Sequence, residues 1–167
     1  RNVSNIQWVI PNSLVTGNVA FGNQESQEAI EHYTEAIPLD PDGVIAYHRR
    51  GTTYGRLGQY QQAVEDFDKA IQLDSDNAES YNNRGYVYHD IGQHQQAIED
   101  RDKVTQFNAD NAWTYCNRGI AYANLGQHRR AIEDFGKAIE LVPSHASTYI
   151  NRGNVYTRLD QHAKAQE

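Results

Sequence analysis

The sequence predicts an all-α chain built as a solenoid of helical hairpins, one hairpin per 34-residue unit. Three observations carry that prediction. Arg-Gly with a tyrosine three residues beyond the glycine recurs as Arg50-Gly51-Tyr54, Arg84-Gly85-Tyr88, Arg118-Gly119-Tyr122 and Arg152-Gly153-Tyr156, and the four glycines lie 34 residues apart. Other positions keep the same phase: Tyr47, Tyr81, Tyr115 and Tyr149 precede the glycines, and Ala63, Ala97, Ala131 and Ala165 follow them. Within a unit, Tyr81, Gly85, Tyr88 and Ile91 recur at three and four, the spacing of one helix face, until Gly92 interrupts; Ala97, Ile98, Val104 and Phe107 resume it on a second helix.

From the N-terminus, residues 1–11 have no period and are expected to be irregular, with Trp8 and Ile10 placed to cover an open end of the stack. Residues 12–22 are rich in Asn and Gly and hold Ser13 where the other units have Tyr. Residues 25–37 carry Ala29, Tyr33 and Ala36 in phase and read as a second helix, so 12–43 is expected to be a degenerate first repeat. Full repeats follow at 44–77, 78–111 and 112–145, and 146–167 is a partial one, making 12–167 a single array. With no methionine and a last unit that stops within its second helix, the chain reads as a fragment of a longer protein.

The unit 112–145 displays Tyr115, Gly119, Tyr122, Ala131, Phe135, Ala138 and Pro143, and this pattern resembles the tetratricopeptide repeat family across 44–167. The resemblance implies a right-handed superhelix and a noncatalytic scaffold that binds a protein or peptide along its concave face. Some members hold the terminal carboxylate of chaperone tails with Lys, Asn, Asn, Lys and Arg. Here those positions hold His48, Thr52, Asn83, Trp113 and Asn117, of which only Asn83 matches, so a chaperone-tail clamp is not expected.

A net charge of −7 argues against a nucleic-acid backbone as ligand, which needs a basic stripe. No apolar run approaches the ~18 residues of a membrane span, so membrane insertion is not expected. A single cysteine leaves the compartment open, with the cytoplasm favoured. His94, His128 and His162 sit one repeat apart, roughly 10 Å by helix packing, too far to share a metal. No catalytic constellation, cofactor motif or metal cluster stands out from the repeat background, so neither an enzyme nor a cofactor is expected.

Arginine before the repeated glycine departs from the family pattern, which generally has Leu there. The pairs Arg50 with Asp66, Arg84 with Asp100 and Arg118 with Asp134 stand in register, so a structural ladder is expected in preference to an anion-binding groove. The preceding position reads Arg49, Asn83, Asn117 and Asn151. Each carboxamide supplies a donor and an acceptor to an extended peptide, an arrangement similar to the asparagine ladders of the O-linked N-acetylglucosamine transferase repeats and importin-alpha. The competing reading is duplication with drift, or capping of neighbouring helices. The candidate groove is therefore Arg49, Asn82, Asn83, Tyr86, Trp113, Asn117, Ile120, Ile150, Asn151 and Asn154, with Trp113, Ile120 and Ile150 as an apolar floor. The alternatives are a self-assembly module joining copies through open terminal repeats, giving a homo-oligomer, or a targeting domain of a larger enzyme.

One position breaks the pattern. Arg101 stands where the flanking copies place Phe67 and Phe135, and its guanidinium is expected to lift toward water or a nearby carboxylate.

Overall fold

The computed structural model describes residues 23–164, and among them every regular element is an α-helix. They are α1 (Asn23–Ala36), α2 (Val44–Arg56), α3 (Tyr60–Leu73), α4 (Ala78–Asp90), α5 (His94–Phe107), α6 (Ala112–Asn124), α7 (His128–Leu141) and α8 (Ala146–Lys164). The chain divides into two compact units: α1 to α5 belong to the one formed by residues 13–107, and α6 to α8 to the one that includes residues 108–167. The expectations for residues 1–11, with Trp8 and Ile10, for 12–22 and for Ala165 lie outside the described residues.

The turn inside each hairpin needs a left-handed residue. Gln59 N–H donates to the Tyr54 carbonyl at 2.9 Å and Gly58 N–H to that of Gly55 at 3.1 Å, the two bonds of a Schellman closure. Gln93 with Tyr88 and Gln127 with Tyr122 repeat the Gln59–Tyr54 bond at 2.8 Å. The closing residues Gly58, Gly92 and Gly126 have φ of 72°, 75° and 72°, where a β-carbon costs about 1–2 kcal/mol. In the last unit that register holds Asp160, and α8 runs on unbroken to Lys164. The expectation that residues 146–167 begin a second helix is thus corrected: without glycine at the turn, continuing the helix avoids the left-handed penalty.

At the other end, Asn77 and Asn111 cap α4 and α6, their side-chain oxygens accepting from Ser80 N–H at 2.9 Å and Thr114 N–H at 3.2 Å. The two helices of a hairpin then close on the repeated glycine. A β-carbon on Gly119 would lie 2.8 Å from the Phe135 ring and 3.2 Å from the Ala131 carbonyl oxygen; on Gly51 it would lie 3.1 Å from Phe67. Both phenylalanines are fully buried. Phe67 joins Ala63 and Val87 in the core of the first unit, and Phe135 joins Cys116, Ile120 and Val155 in that of the second.

Arg101 occupies the corresponding place under Gly85, with Nη1 3.1 Å from a β-carbon built there. Its side chain is 1 % exposed. The guanidinium lies 4.2 Å from the Tyr86 ring centroid, and Nη1 donates to the Asn82 carbonyl at 2.8 Å and to Asn82 Oδ1 at 2.7 Å. The expectation of a head lifted into water is therefore corrected. The glycine notch accepts a planar group, and the guanidinium plane fills it as phenylalanine does in the other hairpins. Burial pulls Arg101 below its ordinary range, with Tyr86 and Asp100 acting in the opposite sense. Arg101→Phe should raise stability by about 1–2 kcal/mol, by removing a desolvated cation from a ring-shaped site. Urea denaturation checks this; a loss of stability would mean that the bonds to Asn82 outweigh the desolvation cost.

Candidate functional site

The arginines of the first helices bind in two directions. Arg50 donates from Nε and Nη2 to Asp66 Oδ2 and Oδ1 at 2.8 and 2.7 Å. Arg84 reaches Asp100 at 3.0 and 2.6 Å, and Arg118 reaches Asp134 at 2.8 and 2.7 Å, each in the same bidentate form. The repeated sequence Tyr-x-x-Arg-x-x-x-Tyr is a cradle for this cation: Arg84 lies 5.5 and 5.6 Å from the rings of Tyr81 and Tyr88, and Arg118 lies 5.3 and 5.9 Å from those of Tyr115 and Tyr122. A second contact was not read from the sequence. Arg84 Nη1 also donates to Asp68 on α3, and Arg50 Nη1 to Thr34 on α1 at 3.0 Å, so these two arginines each stitch their hairpin to the preceding one. Its signal in the sequence is the polar pair Thr34 and Asp68, 34 residues apart and so in phase with the repeat. Burial alone would lower the pKa of Arg84, yet its bonds to Asp100 and Asp68 hold it above the ordinary range. These arginines are committed to carboxylates of their own chain.

The candidate groove residues separate into buried and accessible groups. Tyr86, Asn117, Ile120 and Asn151 are buried, so the expectation that their side chains line an open peptide groove is corrected. Tyr86 carries Arg101 on its ring, and Ile120 lies in the core shared by α6, α7 and α8. Asn151 faces α6, where its amide points at Cys116 Sγ, 3.9 Å away. Asn83 is half-buried, and its amide donates to Thr52 Oγ1 at 3.2 Å on α2. Two of the recurring asparagines thus bind a neighbouring first helix. The physical reason is the tight stacking of first helices, which turns their shared edge into an interior. Asn82 is half-buried and bonded to Arg101.

What remains accessible lies at the rim. In the first unit Arg49 is exposed on α2, and Ile45 is 74 % exposed one turn earlier. In the second unit Ile150 on α8 is 53 % exposed and Asn154, one turn on, is half-buried. The half-buried Trp113 ring meets His145 edge-on, with centroids 4.1 Å apart and planes at 86°. His145 is itself held: its ring contacts Thr148 Oγ1 at 2.6 Å and Ser147 Oγ at 2.9 Å. Thr148 donates in turn to the buried Cys116 at 3.4 Å, and burial pushes that thiol's pKa up, away from reactivity.

Two histidines of one hairpin meet across its turn. His89 near the end of α4 and His94 at the start of α5 have ring centroids 5.3 Å apart, because the Gly92 turn folds one helix onto the other. Burial, then His94 and then Arg101, lower the pKa of His89 to about 4. Among the described residues no group of three or more His, Cys, Asp or Glu could hold a metal ion, and no helix is long and apolar enough to cross a membrane.

Comparison with known proteins agrees with this architecture. The family model for the TPR repeat matches residues 17–58, 56–92 and 86–126, and that for the tetratricopeptide repeat matches 112–145. The chain is a tetratricopeptide repeat protein. A 42-residue stretch of this tetratricopeptide repeat protein is 45 % identical to Hsp70-Hsp90 organizing protein 3 of Arabidopsis thaliana, covering 25 % of the chain and 8 % of that relative. It therefore spans under a tenth of that curated relative's length. The crystal structure of MamA is similar, at 28 % identity and a TM-score of 0.78, over 85 % of this repeat protein and 78 % of MamA. YrrB, described as a TPR protein with an unusual peptide-binding site, is similar at 25 % identity and a TM-score of 0.75, over 82 % and 71 % of the two chains.

Proposed function

We propose that this tetratricopeptide repeat protein is a noncatalytic scaffold that binds a peptide or protein segment on the first-helix face of α6 and α8. The observation that carries the reading is Trp113 held edge-on by His145, with the exposed Ile150 in the same unit. A large aromatic whose orientation is already set loses little entropy when a partner side chain lands on it, the usual property of an interface anchor. Asn154 offers a donor and an acceptor to a backbone passing over α8. Membership of a repeat family whose relatives include a protein with a peptide-binding site supports the same reading.

Peptides selected from a random 12-residue phage library on the full chain provide the test. Trp113→Ala and Ile150→Asp should each weaken the selected peptides tenfold or more, since an anchor contributes about 2 kcal/mol. Asn154→Ala should cost less, about 0.5–1.5 kcal/mol. Helical content, followed by circular dichroism, should not change. Selected peptides that bind both anchor variants as tightly as the parent chain would overturn the proposal.

A further inference from the structure

The first helices α2 and α4 are joined by two side-chain bonds. His48 Nδ1 lies 2.9 Å from Ser80 Oγ, and Asn83, one turn further along α4, donates to Thr52 Oγ1 at 3.2 Å. Ser80 belongs to the capped first turn of α4, where its N–H donates to Asn77 Oδ1, and its side chain is fully buried. The same register recurs in the second unit, where the Thr148 hydroxyl donates to Cys116 Sγ at 3.4 Å. The acceptor there is a thiol whose pKa burial pushes up, so it stays uncharged in acid. Between α2 and α4 it is an imidazole.

The surroundings of His48 place its hydrogen. Nε2 faces Glu79 Oε2 at 3.6 Å, which favours the tautomer with its hydrogen on Nε2, so Nδ1 accepts from the Ser80 hydroxyl. That hydroxyl has no other partner among the described residues. Protonation puts a hydrogen on Nδ1 and removes the acceptor, leaving the hydroxyl hydrogen of Ser80 stranded in the interior. The charged groups acting on the ring are Arg49 from α2 and Glu79 from α4; α3 contributes the uncharged Phe67 ring, with centroids 5.9 Å apart. Burial lowers the pKa of His48, Glu79 raises it and Arg49 lowers it, and the net direction is downward from 6.5.

We propose that the contact between His48 and Ser80 is a proton-operated latch joining α2 to α4. With the ring neutral, the first turn of α4 is held against α2. With the ring protonated, the imidazolium leaves Ser80 and turns outward to Glu79, whose side chain is 86 % exposed, while the bond from Asn83 to Thr52 stays as the hinge. The folded chain takes up this proton less readily than the unfolded one, so the latch is closed above pH 6.5 and opens as pH falls through the folded value. The spacing of α2 and α4 sets the surface they present together, which therefore responds to acid. This device is separate from the peptide site proposed on α6 and α8.

Nuclear magnetic resonance of the full, isotopically labelled chain, titrated from about pH 7.5 to about pH 4.5, tests the latch. The His48 Cε1 proton should titrate with a midpoint below 6.5, and the Ser80 and Tyr81 amide resonances should move with the same midpoint. The nuclear Overhauser contact between the His48 and Phe67 rings, present at neutral pH, should vanish below it. His48→Gln gives Ser80 a carboxamide oxygen and no titrating group, so in that variant both amide resonances should stay in place. Glu79→Gln should lower the His48 midpoint further, by removing the carboxylate that favours the imidazolium. A midpoint at or above 6.5, no titration of His48 within the range, or a ring contact that survives protonation would overturn the proposal. So would amide resonances that ignore the titration of His48, or that move equally in His48→Gln.

Discussion

Arg84→Ala should destabilise the chain by about 3–5 kcal/mol, the cost of leaving a buried charge without its partner. The orphan is Asp100, whose side chain is almost wholly buried and receives both Nε and Nη2 of Arg84. Asp100→Ala should cost less, about 2 kcal/mol, because Arg84 keeps its bond to Asp68 and its place between Tyr81 and Tyr88. This asymmetry separates a stitched arginine from a simple pair, which would lose comparable stability from either side. The double variant should lose less than the sum of the two, and urea denaturation of all four proteins measures the coupling. Strict additivity would mean that the two side chains do not share one interaction.

Acid should weaken the fold through His89. The pKa of its imidazole is about 4 in the folded chain against an ordinary 6.5, so between those values the unfolded chain binds the proton more readily. The stabilisation is fully present above pH 6.5 and is lost as pH falls toward 4, a change of about 3 kcal/mol. Asp90, raised by burial, acts in the opposite sense on the same helix, so the comparison is with His89→Gln, in which every other group is unchanged. The parent chain should lose about 3 kcal/mol more than the variant between pH 7 and pH 4, followed by denaturation at each pH. Parallel stability curves would show that burial does not hold the imidazole neutral. Arg101→Phe should also reduce the acid sensitivity, since Arg101 contributes to the lowered value.

Much of the fold was legible in the residues because a repeat encodes it several times. Spacings of three and four determine a helical face wherever the chain lies. Glycine at 58, 92 and 126 determines a turn, because only glycine takes that backbone angle without penalty. Arg84 and Asp100 stand in a constant register, so the hairpin that brings one such pair together brings the others. These are local or periodic relations, and the sequence by itself determined them.

Tertiary packing decided the rest. Asn83 and Asn151 have the same chemistry whether they face a ligand or a neighbouring helix, and only the closeness of stacked first helices turns Asn83 toward Thr52 and Asn151 toward Cys116. Arg101 in a phenylalanine position could have risen to water. The notch at Gly85, the Tyr86 ring and the Asn82 oxygens together make the interior the better place for it. His89 and His94 share no helix face, yet the turn between their helices puts their rings in contact. In each case the alternatives available to one side chain are close in energy when seen along the chain. The space and partners left by neighbouring elements choose between them, and those are set only once the hairpins have stacked.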